Sequence, residues 1–193
     1  MSLSEPRKSC NAAIPPSVIE TYHRLRAGVR RQVTWKLLSE RIEIWPDREH
    51  LMYLSAVLLE LPLLRLWKDK KLYCMPCERC GGVVFGNEVV GMCEHCQRAV
   101  ELRINPLVLG LLSDETAGLR GEHNLLVADE VWEKLFGLGQ GTGNDEAISE
   151  KWLRERERIV RYQRFTWVLL WVRGWDGGRL VVVDVLDVNG TEL

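Results

Sequence analysis

Long apolar runs are missing from this 193-residue sequence. The best candidates, around 57–64 and 168–172, break within a few residues. A membrane-spanning helix needs about 20 apolar residues in a row, so a soluble chain with no membrane partner is expected. Net charge is nearly absent too: Lys plus Arg number 26 and Asp plus Glu 27, a formal charge of −1. That excludes a protein that holds polyanions by its overall charge and leaves only local clusters to do so. Histidine is scarce, and His23, His50, His95 and His123 are scattered, so no Ser/His/Asp or Cys/His arrangement can be drawn. The stretch 137–143 is glycine-rich but lacks the lysine and Ser/Thr of a P-loop. The expectation is a non-enzyme with no small-molecule substrate. No apolar leader stands in the opening residues SLSEPRKSCN, so a reducing compartment is expected and disulfides are disfavoured.

What is present is cysteine at a telling spacing. Five of the six cysteines fall between Lys71 and Arg103, with Cys77-x-x-Cys80 and Cys93-x-x-Cys96 separated by twelve residues. Each Cys-x-x-Cys turn can aim two thiolates at one point, and two facing turns give the tetrahedral sulfur cage that Zn²⁺ prefers. Gly81-Gly82 supply backbone freedom just after the first pair. Four protein ligands leave no place for water, so one structural zinc is expected, not a catalytic one. A thioredoxin-like redox role fits less well, because the motifs are matched and no βαβ pattern surrounds them. Cys74-x-x-Cys77-x-x-Cys80 offers three candidates for the first two ligand places. Taking Cys77, Cys80, Cys93 and Cys96 makes the two turns match, with Cys74 a strand-end thiol and His95 a solvent-facing loop residue.

Residues 1–13 are polar and aperiodic, which predicts a disordered tail. From Pro15-Pro16-Ser17 onward, Val18, Ile19, Tyr22, Leu25, Val29, Val33, Leu37 and Leu38 recur at three- and four-residue steps. The spacing predicts one amphipathic helix over 15–44, with Gly28 as its weak point. LMYLSAVLLEL reads as a buried strand, with helix as the rival its many leucines allow; LLRLW, a Lys68–Lys71 turn and KLYC read as a hairpin entering the ribbon. AVELRINPLVLGLLSDE reads as a long strand with a bulge at Pro106. GEHNLLVADEVWEKLFG is a strand turning into a short helix stopped by Gly137, and GLGQGTGNDE is a loop. AISEKWLRERERIVRY is a charged helix with Trp152, Ile159 and Val160 as its stripe; FTWVLLWVR and RLVVVDVLDV form a closing hairpin. Five strands with a helix between the third and fourth is the order of an OB-fold barrel. The predicted class is therefore mainly β with α: residues 1–50 as tail plus helix, and 51–193 as a five-stranded OB-fold with a zinc ribbon inserted at 73–98. The closing hairpin is apolar on both faces, so a helix of this chain (15–44 or 147–162) or a partner protein must cover its outer side, and a partner protein is the expected cover.

From about Leu51 to Val188 the sequence resembles the C-terminal DNA-binding domain of the replication protein A large subunit. The resemblance rests on Tyr73-Cys74 leading into the first pair, Gly91-Met92-Cys93-Glu94-His95-Cys96, the run Leu112-Ser113-Asp114-Glu115-Thr116-Ala117-Gly118, Lys134-Leu135-Phe136-Gly137 and Val185-Leu186-Asp187-Val188. It implies single-stranded DNA binding in DNA replication, repair or telomere maintenance, a nuclear location, and assembly with other subunits of an OB-fold complex. Such binding needs rings on which bases stack and cations that follow the phosphates. The candidates are Trp67 beside Arg65, Lys68, Lys70 and Lys71, and Trp167 and Trp171 near Arg164. The alternative is a scaffold with little DNA contact of its own, binding proteins through the apolar hairpin and the N-terminal helix.

Overall fold

The computed structural model describes residues 14–28, 30–41, 49–120, 125–137, 148–172, 179–189 and 191. The expected tail 1–13, the loop 138–147 and the GWDGG turn of the closing hairpin lie outside them.

Three long strands form the centre. β2 (His50–Glu60) pairs antiparallel with β11 (Arg164–Val172), and β11 pairs antiparallel with β12 (Arg179–Leu186). The short strands β1 (Gln32–Val33), β8 (Leu111–Ser113), β9 (Gly118–Arg120) and β10 (Leu125–Val127) complete a seven-stranded sheet. Its path runs β10-β12-β11-β2-β8-β9, with β1 beside β2; β10–β12 and β1–β2 are the parallel pairs. This corrects the expectation of a closed five-stranded barrel: among the described residues the ladder path is open, with β10 and β9 at its ends. Among the described residues five helices accompany it, making the fold mixed α/β. None of them is long and apolar enough to cross a membrane.

The doubly apolar strands are explained by two cores. Met52, Leu54, Ala56 and Leu58 of β2, with Phe165, Trp167 and Leu169 of β11, face the main core. Tyr53, Val168, Leu170, Val181, Val183 and Leu186 face the other way, and helix α1 (Pro16–Leu25) covers them with Val18, Tyr22 and Leu25. This corrects the expectation of a partner protein there: the chain's own N-terminal helix is the cover. A register shift opposite Val168/Leu169 adds a residue to β12. Val182 and Val185, three apart, therefore share the main core where strict alternation would separate them.

Several expected elements differ. The 15–44 periodicity is not one helix but α1, β1 and α2 (Trp35–Arg41), because three- and four-residue steps continue by coincidence where Arg31 and Val33 join β2. The N-terminus of α2 is capped from a distant turn: Trp35 N–H donates to Asp114 Oδ2 (2.7 Å) and Lys36 N–H to Thr116 Oγ1 (3.1 Å). LLRLW is helix α3 (Leu63–Lys68), not a strand. Pro62 starts it, Leu63 and Leu66 bury one side, and Lys70, at φ 54, ends it. The long strand through Pro106 is instead β6 (Arg98–Glu101), β7 (Arg103–Ile104), a 3-10 turn at Pro106–Val108 and β8. The turn is held by Asn105, whose side chain accepts from Leu107 N–H. Helix α4 (Asp129–Phe136) starts from Ala128 without a side-chain cap and stops at Gly137, φ 66. Helix α5 (Glu150–Val160) is capped by Ser149 and buries Leu153 and Val160, while Ile159 of the expected stripe is exposed.

Asp184 locks α1 to the sheet. It accepts from Tyr22 Oη at 2.6 Å and Lys134 Nζ at 2.7 Å, joining α1, β12 and α4. Burial, then the bond to Asp184, pushes the Tyr22 phenol well above its usual range. A raised tyrosine means that the unfolded chain ionises first, so this stability is full at neutral pH and is lost as pH climbs past about 10. Tyr22→Phe should cost about 1 kcal/mol at neutral pH. It should also flatten the alkaline fall in stability, both effects being read by urea denaturation across pH.

Candidate metal centre and basic surface

Two hairpins carry the sulfurs. β3 (Tyr73–Pro76) pairs with β4 (Val83–Gly86), and their turn holds Cys77 and Cys80. β5 (Val90–Cys93) pairs with β6, and their turn holds Cys93 and Cys96. The two turns have the same build. Gly81 N–H donates to Cys77 O and Gln97 N–H to Cys93 O, each at 2.8 Å. The residue after each second cysteine lies in the left-handed region, Gly81 at φ 71 and Gln97 at φ 52. The sequence signalled the first with glycine and hid the second, because glutamine tolerates that conformation only at a cost. Gly91 lets the hairpins meet: a Cβ there would stand 2.9 Å from both Leu102 Cδ1 and Val84 Cγ1.

The four sulfurs of Cys77, Cys80, Cys93 and Cys96 all lie within 4.8 Å of one another, with 3.6 Å between Cys80 and Cys93. A tetrahedron with metal–sulfur bonds of about 2.3 Å has edges of about 3.8 Å, so the donor set fits a metal ion. Cys77 and Cys93 are buried, Cys96 is half-buried and Cys80 is exposed. Backbone N–H groups of Cys80 and Arg79 draw the Cys77 thiol down to about 7. Hydrogen bonding to Cys80 and burial push the Cys96 thiol up to about 12. Cys74 is fully buried on β3 opposite Phe85 and stands outside the cluster, and His95 is exposed, both where the spacing put them. The ribbon is anchored to α4 by Arg103 Nη1 and Asp129 Oδ2 at 2.6 Å, where burial pushes the Asp129 carboxyl up against the pull of Arg103.

The second feature is charge. Helices α3 and α5 pack together: Leu64 N–H donates to Glu157 Oε1 at 2.8 Å and Lys68 Nζ lies 3.4 Å from Glu150 Oε1. Two clusters distant in sequence thus become one surface. Residues 63–71 and 148–162 hold Arg65, Lys68, Lys70, Lys71, Lys151, Arg154, Arg156, Arg158 and Arg161 against Asp69, Glu150, Glu155 and Glu157. Arg65, Lys68, Lys70 and Lys71 are exposed, and Trp67 is half-buried against the core beside them. Three rings here sit under cations: Phe85 under Lys71 (5.8 Å), Trp152 under Arg156 (5.3 Å) and Tyr162 under Arg161 (4.6 Å).

No protein-family model matches the chain, and no curated protein does. Two solved structures are similar to it. A replication protein A heterotrimer bound to ssDNA matches at TM-score 0.44 and 14% identity, over 82% of this chain and 36% of that one. Yeast RPA bound to ssDNA matches at TM-score 0.44 and 16% identity, over 84% of this chain and 90% of that one. The chain thus spans about a third of the length of the first and most of the second.

The remaining sequence-predicted positions do not gather into a groove. Trp167 is fully buried, and its Nε1 donates to Ala56 O at 3.2 Å, so it is a core residue with no face open to a base. Trp171 is half-buried against the same core. Arg164 is exposed but tied, 3.4 Å from Ser55 Oγ and 3.7 Å from Glu115 Oε2. Tyr162, which sequence reading did not single out and which shows there only as an aromatic next to arginine just past a helix, is exposed.

Replacing Cys93 by serine should abolish bound metal and lower the melting temperature, since a metal coupled to folding does not give up a ligand lightly. Cys74→Ser should keep its metal, as measured by elemental analysis of the purified proteins. Because each sulfur must shed its proton to bind, wild-type metal affinity should fall as pH drops.

Proposed function

We propose that this chain is a non-enzymatic, single-stranded-DNA-binding protein whose ribbon is held by one structural Zn²⁺. It works in the nucleus, in DNA replication, repair or telomere maintenance, beside other OB-fold subunits. The frame we read as of OB type: mostly antiparallel strands, a parallel β10–β12 closing pair and the helices α4 and α5 between β10 and β11, as in a partly open Greek-key barrel. Four sulfurs and no other donor favour zinc as a cross-link, since softer thiolate cages select it over magnesium or calcium.

The observation that carries the DNA reading is the α3–α5 surface. A chain of net charge −1 places nine cations and four acids on two adjoining helical segments, so the rest of it is strongly negative. The ion pairs there, Lys68–Glu150, Arg154–Glu150 and Arg158–Glu155, are all exposed. Such pairs are worth little, and a phosphate can displace the carboxylate. Arg65, Lys70 and Lys151 have no ion pair among the described residues.

The scaffold reading loses its first support, because the apolar hairpin is buried on both faces within this chain. It keeps one observation: Phe85, Val89, Val90 and Met92 are exposed together on the ribbon.

Titration of a labelled oligo-dT decides between them. DNA binding predicts an affinity that falls with salt at a log–log slope of about −2 to −3, as for three or four neutralised phosphates. The double variant Arg65→Ala, Lys70→Ala should flatten the slope by about 1.4. Absence of binding at low salt would leave the scaffold.

A further inference from the structure

We propose that Tyr162, backed by Arg161, is the ring on which a base of the bound strand stacks; this rests on the single-stranded DNA reading above. Stacking needs an aromatic face open to solvent, and the described tryptophans are buried or half-buried. Tyr162 is 64% exposed, against 37% for Phe85, the other exposed Phe, Tyr or Trp ring among the described residues. It is also held there. Its backbone sits at φ 67, a left-handed conformation that a tyrosine rarely adopts. Its N–H donates to Leu58 O at 2.9 Å, and Arg161 Nε donates to Leu59 O at 2.9 Å, so both residues are pinned to the end of β2.

The guanidinium lies 4.6 Å from the ring centre. A cation against one face of an aromatic enriches a stacking platform and leaves a positive charge at its rim for phosphate. The position suits a polyanion better than a protein, because Tyr162 stands where the cationic helix α5 ends, following Arg154 and Arg158 on successive turns. Conformational strain kept at an exposed ring is the arrangement expected of a binding residue, not of a packing one.

The test uses the full zinc-loaded chain, a fluorescein-labelled oligo-dT and three variants. Tyr162→Ala should weaken binding roughly five- to a hundredfold with the salt slope unchanged. Tyr162→Trp should stay within about twofold of wild type, since any large ring can stack. Tyr162→Asn should lose affinity as alanine does while melting no lower than wild type, because asparagine accepts the left-handed backbone. A merely structural role would make stability and affinity fall together. If wild type binds and Tyr162→Ala binds equally well, the stacking assignment fails and the DNA reading stands. A loss accompanied by a flatter salt slope also overturns it, by making the contact electrostatic. If wild type does not bind, both fall.

Discussion

The constraint on which the rest depends is that β2, β11 and β12 are apolar on both faces. A sheet of that kind cannot present one side to water, so each face must find a cover of its own. The main core takes one face, and α1 takes the other with Val18, Tyr22 and Leu25. Burying a side chain of this size stabilises by about 1.5–3 kcal/mol, so α1 is a structural element of the domain and not an appendage. Asp184 fixes its position. A buried carboxylate is costly unless it is bonded, and here a phenol and an ammonium each meet it at hydrogen-bond distance. The same strand supplies the bulge that keeps Val182 and Val185 inward while leaving Asp184 free to reach Tyr22 and Lys134.

The ribbon solves a different problem. Its three- and two-stranded sheets are too small to bury a core, and a unit of that size needs a cross-link. Cys77 and Cys93 lie among the buried apolar residues, while Cys80 and Cys96 reach toward solvent. The sulfur cluster therefore sits at the seam between ribbon and water, and a metal there would join two hairpins that approach closely at Gly91. Arg103 and Asp129 then tie this unit to α4, which links ribbon geometry to the main sheet.

How much of this the sequence made legible follows from the range of the forces involved. The four sulfurs were readable because ligand spacing is local chemistry: a Cys-x-x-Cys turn presents its thiols whatever surrounds it. The long strands β2, β11 and β12, the helices α4 and α5, and the need for a cover over the outer face were also legible, because apolar content persists over many residues. What misled were short segments whose state is fixed from afar. Gln32 and Val33 fit a helical period yet bond to β2; LLRLW carries strand-like residues yet packs as a helix on α5; α2 begins where Asp114, from a distant turn, caps it. Trp167 was misplaced for a related reason, since a tryptophan near arginine reads alike in a groove and in a core. Only the bond to Ala56 and the absence of exposed surface decide it.

Charge shows the same dependence on tertiary contact. Packing α3 on α5 joins two basic stretches, 63–71 and 148–162, into one surface, and physiological salt lets charges act together over only roughly 8 Å. Because that field falls off so quickly, the acids elsewhere on the chain scarcely weaken it, and the net charge of −1 says little about this surface. The exposed pairs that Glu150 and Glu155 make moderate the field without cancelling it, since an exposed carboxylate binds its cation weakly and exchanges readily. Charge alone would hold an anionic chain only loosely on such a surface. For the strand binding proposed above, persistence requires a contact that salt does not screen, which is the role proposed for the open ring of Tyr162.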